Sequence, residues 1–214
     1  MSKIGQIERA TQNRVVKLFR ERLDYDYLGN WQDDPRTSNI EEDLLLCFLT
    51  DTQGLPAALA TRAVQEFTRK AGDQAASLYD VNKTVYGLLR YGVQGVLDDE
   101  TGERRTVHLI DWKHPDRNHF AIAEEVSISA ADAKSYGKRP DVVLYVNGIA
   151  LGILELKRST VSVSEGIRQN LDNQTKLFIQ PFFTTMQLVM AGNDTEGLRY
   201  GTIETSEKYY LTWK

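Results

Sequence analysis

Cysteine is almost missing. Cys47 stands alone among 214 residues, which excludes an intramolecular disulfide and gives no pointer to a secreted, disulfide-stapled fold. It sits in an apolar helical stretch and reads as core rather than nucleophile. Long apolar runs are missing too. None approaches the ~20 residues of a membrane span, so no membrane partner is expected. The opening Met1-Ser2-Lys3-Ile4-Gly5-Gln6 has no signal-peptide core, and a cytoplasmic location is expected. His108, His114 and His119 have no cysteines in zinc-like spacing, and His114 with Asp116 reads as a turn pair. There is no Gly-x-Ser-x-Gly elbow and no Walker A sequence, which argues against elbow-type serine hydrolysis and P-loop ATP binding. Positive charge is short as well. The net charge of −4 is against strong stand-alone DNA binding, which phosphate contacts dominate. No internal repeat or low-complexity linker divides the chain.

What is present is a hydrophobic content of 41%, ordinary for a soluble globular protein, and one dominant stretch. From Arg139 to Arg158 the chain reads as two apolar β runs joined by Asn147-Gly148. Asp141, Glu155 and Lys157 lie at the open end. Charges at the rim of such a core need a reason, because desolvating them is costly unless they pair or bind an ion. Register decides whether they meet. A two-residue turn sets Asp141 opposite Leu154 and throws Glu155 and Lys157 onto the other face. A three-residue loop, Asn147-Gly148-Ile149 with Gly148 at positive φ, sets Asp141 opposite Glu155, Val143 opposite Ile153 and Tyr145 opposite Leu151. The three-residue loop is the reading adopted, and it puts all three charges on one face.

Two carboxylates and an ammonium on one face suit a hard divalent cation such as Mg²⁺, which prefers carboxylate oxygens and often bridges to phosphate. Such an ion stabilises charge on a phosphate and acidifies a bound water. The plainer alternative is a salt bridge between Lys157 and the two acids. Around the stretch, residues 134–168 carry Lys134, Lys138, Arg139, Lys157, Arg158 and Arg168 against Asp141, Glu155 and Glu165. That local positive excess reads as a DNA-facing patch, with Lys138, Arg139, Arg158 and Arg168 as contact candidates, or as a mixed solvated surface.

Along the rest of the chain, residues 3–23 read as an amphipathic helix through Ile4, Ile7, Val15, Leu18 and Phe19. Glu8 falls on or beside its apolar face. Residues 25–38 read as a loop. Ser38-Asn39-Ile40-Glu41 reads as a capping box opening a helix to about Thr50. Pro56 starts the next helix and Gly72 closes it. Further helical text runs from about Asp73 to Leu89, with Asp80 or Asn82 as cap. The sheet is expected to begin near Tyr91 with a hairpin through residue 112, then a strand at 120–128 and a polar loop at 129–138 close to substrate. After the central hairpin come a helix at 162–177, entering at Ser162 or Ser164, and strands at 186–192 and 198–204. Tyr209, Tyr210 and Trp213 are expected to pack the tail.

Pro140-Asp141 followed by Glu155-Leu156-Lys157 resembles the PD-(D/E)xK nuclease motif. The wider text from Lys138 to Lys157 resembles the N-terminal endonuclease domain of the restriction (R) subunit of type I restriction–modification enzymes. So do Asn118-His119-Phe120, the stretch from Gln187 to Asn193, and the stretch from Arg199 to Glu204 with Trp213. The resemblance covers nearly the whole chain. It implies a restriction-endonuclease-like α/β core, with a central mixed β-sheet flanked by helices and a helical insertion after the first helix. On that plan residues 1–214 form a single nuclease domain: a first core helix at 1–24, the insertion at 38–90, the sheet and its helix at 91–204, and a tail at 205–214.

The implied activity is Mg²⁺-dependent cleavage of double-stranded DNA, with Mn²⁺ as a substitute. Asp141, Glu155 and the Leu156 backbone carbonyl would hold metal, and Lys157 would position the attacking water. The resemblance makes Glu8 an auxiliary acid; the plainer reading is an edge Glu reaching solvent or pairing with Arg14. It also makes Gln169 an auxiliary residue that bonds a phosphate or orients Lys157, against an ordinary exposed helix residue. Asn173 stands where the family usually has Tyr. Implied partners are methyltransferase and specificity subunits. ATP would serve only the full-length subunit, whose motor domains are absent from these residues. Two alternatives stay open: a non-catalytic DNA-binding or subunit-docking module on the same fold, and a repair or phage-type nuclease with other partners.

Overall fold

The computed structural model describes residues 3–130 and 134–214, with side chains described from Arg9 onward. Residues 131–133, in the middle of the polar loop expected near substrate, lie outside the described residues.

The first helix, α1 (Lys3–Arg22), leads into strand β1 (Asp26–Asn30). Helices α2 (Glu42–Cys47), α3 (Ala57–Ala71) and α4 (Leu78–Tyr91) follow, with a π-helical turn at Phe48–Thr52. Strands β2 (Val93–Leu97) and β3 (Arg104–Val107) precede β4 (Phe120–Glu124), β5 (Val142–Val146) and β6 (Ile149–Leu156). Helix α5 (Val163–Asn173) then leads to β7 (Leu188–Asn193), β8 (Gly197–Gly201) and β9 (Leu211–Thr212). The described residues form a seven-stranded sheet in the order β1-β4-β5-β6-β7-β8-β9, parallel at β1·β4 and β6·β7 and antiparallel elsewhere. The expected mixed sheet flanked by helices is therefore present. No described helix is long and apolar enough to cross a membrane.

Four apolar clusters among the described residues hold this arrangement. On one sheet face, Val15, Val16 and Phe19 of α1 pack on Ile122, Val142, Leu154, Leu156 and Met190. On the other, Val143, Tyr145, Ile153 and Val189 meet Trp31, Ile179, Phe182 and Phe183, while Val163 and Ile167 of α5 cover Ala191. Helices α2 to α4 build a cluster of their own with β2 and β3, touching the sheet through Ile149.

Several sequence expectations are corrected. Residues 26–30 are not loop but an edge strand parallel to β4. The hairpin at 93–107 forms a separate two-stranded sheet, so the main sheet does not begin there. No capping box forms at Ser38: its Oγ accepts from Ile40 N, and α2 opens at Glu41 without a side-chain cap bond. Helix α4 starts later than expected, capped by Ser77, whose hydroxyl accepts from Asp80 N at 3.1 Å. Cys47 is exposed, not core, and donates to Asp51 Oδ2. Helical spacing turns Leu45, Phe48 and Leu49 inward instead. In the tail, Tyr209 and Trp213 are exposed, although Trp213 meets the Tyr200 ring edge-on.

The central hairpin reaches the expected alignment by a different route. Val146 pairs with Ile149, so the loop is the two residues Asn147 and Gly148, both at positive φ (52° and 78°). This is the turn whose twist suits paired strands. The register then slips by one: Tyr145 pairs with Ala150, but Leu144 pairs with Gly152. Leu151 is the extra residue of a β-bulge. Beyond it Val143 pairs with Ile153 and Val142 with Leu154, which sets Asp141 opposite Glu155. Tyr145 does not face Leu151.

Candidate active site

The site lies where β5 enters and β6 leaves the sheet. Pro140 ends the preceding loop and offers no N–H of its own. Its carbonyl accepts from Val126 N at 3.0 Å, and the Asp141 carbonyl accepts from Glu125 N at 2.9 Å. The Asp141 side chain reaches across to β6, where Oδ2 accepts from Leu156 N at 2.6 Å. A carboxylate accepting a backbone N–H makes a short, charge-assisted bond that fixes its direction.

Glu155 and Lys157 alternate with Leu156 along the strand, so both face α5 while Leu156 faces α1. Gly166 of α5 confirms the geometry. A Cβ there would lie 3.1 Å from Ala191 Cβ, 3.5 Å from Lys157 Cγ and 3.6 Å from Glu155 Cγ. The helix therefore sits close over the pair. Glu155 is only 2% exposed. Lys157 Nζ donates to Glu155 Oε1 at 2.9 Å and to Gln169 Oε1 at 2.7 Å. A buried carboxylate is tolerable with such a partner and costly without one.

The structure thus brings Asp141, Glu155, Lys157 and Gln169 together. Asn173, one turn beyond Gln169, is fully buried, and neither polar atom of its side chain has a hydrogen-bond partner among the described residues. Glu8 is on α1, but its side chain lies outside the described residues. Arg14, the partner considered for it, pairs with Asp194 among the described residues. Among the described residues no group of three or more His, Cys, Asp or Glu side chains is placed to hold a metal ion. The donors on hand are Asp141 and Glu155, with the Leu156 carbonyl between Glu155 and Lys157.

The four cationic candidates have different surroundings. Lys138 Nζ sits 3.8 Å from the centre of the Phe178 ring. Arg139 pairs with Glu125 at 2.9 Å. Arg168 pairs with Glu165 at 2.9 Å and Glu207 at 2.8 Å. Arg158 is half-buried just after Lys157. Arg139 and Arg168 are therefore held in ion pairs with carboxylates.

Sequence reasoning missed a second polar cluster, on the α1 face behind Asp141. Glu124 is 5% exposed and Gln12 is 3% exposed. Glu124 accepts from Arg9, Gln12, Tyr27 and Asn30. Burial, first, and then the hydrogen bond to the Glu124 carboxylate push the Tyr27 phenol up to about 12. A signal was present in both segments. Glu124 occupies an inward position two residues after Ile122, and Gln12 lies on the stripe of Val16 and Phe19.

Comparison with known proteins shows the family of this chain. The family model for the type I restriction enzyme R protein N terminus matches residues 5–208. A putative type I restriction enzyme MjaIXP endonuclease subunit of Methanocaldococcus jannaschii is 26% identical over 136 residues, 62% of this chain and 13% of that subunit. The type I restriction enzyme HindI endonuclease subunit of Haemophilus influenzae is 28% identical over 139 residues, 62% of this chain and 12% of that subunit. A putative MjaVIIP endonuclease subunit of M. jannaschii is 36% identical over 84 residues, 38% of this chain and 7% of that subunit. The chain thus spans a small fraction of the curated relatives it matches. With the family model covering nearly all of it, the chain belongs to the family of type I restriction enzyme R protein N-terminal domains.

Proposed function

We propose that this chain is the cleavage module of a type I restriction enzyme, hydrolysing phosphodiester bonds of double-stranded DNA with Mg²⁺. The observation that carries the reading is the convergence of Asp141, Glu155 and Lys157 on one face of the sheet, with Asp141 anchored on Leu156 N. A fold needing only stability would gain nothing from three charges beside its most apolar strands.

The donor set fits a hard cation: two carboxylates and a main-chain carbonyl are the oxygen ligands Mg²⁺ takes, the rest of its shell being water and phosphate. Asp141, Glu155 and the Leu156 carbonyl would hold it, with Mn²⁺ as a substitute. When bound, the ion would offset charge on the scissile phosphate and acidify a water. Lys157 holds the ammonium that positions that water and balances phosphate charge. Gln169 fixes Lys157 through its 2.7 Å bond. Glu8 is the auxiliary acid of this reading. Lys138, Arg139, Arg158 and Arg168 border the DNA path; for Arg139 and Arg168 that role requires exchanging a carboxylate for a phosphate.

The partners are methyltransferase and specificity subunits, and ATP serves the motor of the full-length subunit. A second reading, a non-catalytic docking module on the same fold, is favoured by one observation: Lys157 is paired with Glu155, as a purely structural bridge would be. Supercoiled plasmid incubated with the chain and Mg²⁺ separates the two. The nuclease reading expects nicking by the wild type and none by Asp141→Ala. Equal nicking by both proteins rejects the assignment of Asp141, and none by either favours docking.

A further inference from the structure

From the Glu124 cluster we infer that Gln12 and Glu124 are positioning residues for Asp141, setting the direction of its carboxylate from the opposite side of the sheet. The inference rests on the reading of Asp141 as a metal ligand.

Glu124 closes β4 directly across from Val142, one residue from Asp141. A core position there could be filled by another Ile, as at Ile122, which is fully buried on the same face. Instead the chain buries a carboxylate and satisfies it with four donors. Oε1 accepts from Arg9 at 3.0 Å, from the Tyr27 hydroxyl at 2.7 Å and from Asn30 Nδ2 at 3.4 Å. Oε2 accepts from Gln12 Nε2 at 3.3 Å. Burying a carboxylate is costly even when paired, so the arrangement calls for a task.

The task is visible in what Gln12 does with the same nitrogen. Nε2 also donates to the main-chain carbonyl of Asp141, at 3.3 Å. Glu124 holds the Gln12 amide with its NH₂ edge toward that carbonyl. The next two residues complete the clamp. Glu125 is left-handed, with φ at +51°, a conformation that non-glycine residues adopt rarely and at a cost. That conformation accompanies consecutive amides bonding consecutive carbonyls, Glu125 N to Asp141 O and Val126 N to Pro140 O. Three donors thus fix the Pro140-Asp141 main chain, while Leu156 N fixes the far end of the side chain. Residues that orient a metal ligand without touching the metal typically cost about 10–100-fold in affinity or activity when removed.

The test is Mn²⁺ binding by isothermal titration on the whole chain, with thermal midpoints measured alongside. The variants are Gln12→Met, Glu124→Ala, Glu124→Gln and Asp141→Ala. Gln12→Met keeps the volume and removes the donor. We expect Gln12→Met and Glu124→Ala to weaken Mn²⁺ by about tenfold or more at temperatures where both remain folded. Glu124→Gln, which keeps one acceptor oxygen, is expected to lose less. A role in stability alone would lower the midpoints and leave Mn²⁺ affinity unchanged, and that result overturns the inference. If Glu124→Ala does not fold, Gln12→Met decides the matter. If Asp141→Ala binds Mn²⁺ as the wild type does, the ligand assignment itself fails and the positioning role falls with it; normal binding by Gln12→Met with loss in Asp141→Ala sinks only the positioning role.

Discussion

Asp141 on β5 and Leu156 on β6 are tied by a 2.6 Å bond from the Leu156 amide to the Asp141 carboxylate. The bond joins the strand carrying the first acid to the strand carrying Glu155 and Lys157. It exists because the hairpin combines a two-residue turn with a bulge at Leu151, a pairing that restores the register the turn alone would have broken.

That turn should be intolerant of any side chain at its second position. Gly148 has φ at +78°, and a Cβ there would lie 2.5 Å from Glu41 O and 2.8 Å from Leu44 Cβ. A left-handed residue costs about 1–2 kcal/mol, and overpacking against backbone adds about as much again. Gly148→Ala is expected to lower the thermal midpoint by about 8 °C, at the 2–4 °C per kcal/mol usual for this size. Unfolding followed by circular dichroism measures it; an unchanged midpoint would show that α2 gives way freely.

Lys157 should matter for stability as well as for cleavage. Its ammonium lies 2.9 Å from a Glu155 side chain that is 3% exposed. Removing one partner of a buried pair typically costs about 3–5 kcal/mol. Lys157→Met should therefore be less stable than Glu155→Gln, which removes the buried charge and keeps an acceptor. Urea midpoints compare the two. The reverse order would mean that Glu155 does not depend on Lys157.

Gly166 should separate folding from chemistry. As a helical residue, changing it to Ala gains about 1 kcal/mol of intrinsic helix preference. The added Cβ would meet Ala191 Cβ at 3.1 Å, beside the Lys157 and Glu155 side chains. Gly166→Val, larger still, is expected to displace those side chains and cut plasmid cleavage by about 100-fold, the effect typical of a 1 Å misplacement. A protein that folds and cleaves normally with Val at 166 would place the chemistry elsewhere.

Acid stability should depend on Asp98. The guanidinium of Arg105, bonded to it at 2.8 Å, holds its carboxyl below the usual aspartate range, helped by the Glu100 and Thr101 amides and opposed by burial. A depressed folded-state value contributes stability that is present above the ordinary aspartate value of about 3.9 and is lost as pH falls through the folded value. Asp98→Asn should be less stable at pH 7 and should lose less between about pH 4 and pH 2. Urea midpoints across that range check the sign, and parallel curves for the two proteins would contradict it.

Much of the candidate site is legible in the sequence because its residues carry contrast. Asp141, Glu155 and Lys157 are charges set against apolar strands, and period-two alternation placed them once the register was right. The expected alignment of Asp141 with Glu155 and of Val143 with Ile153 is present, but the three-residue loop and the Tyr145–Leu151 pair expected with it are not. A bulge at Leu151 has no local composition signal, so the sequence suggested a longer loop. Strand β1 escaped notice because its parallel pairing with β4 is non-local, and Tyr27-Leu28-Gly29 lacks a clean alternation. Cys47 misled because its apolar neighbours are inward on a helix that turns it out. Gln12 and Glu124 were readable in principle as polar residues on buried faces. What they touch depends on how α1 crosses the sheet, which no local pattern specifies.

The most direct test is anomalous diffraction from crystals soaked in Mn²⁺. A peak is expected about 2.1 Å from oxygens of Asp141 and Glu155, within reach of the Leu156 carbonyl and absent from Asp141→Ala crystals. A map with no peak between these two carboxylates, or one unchanged by Asp141→Ala, would contradict it.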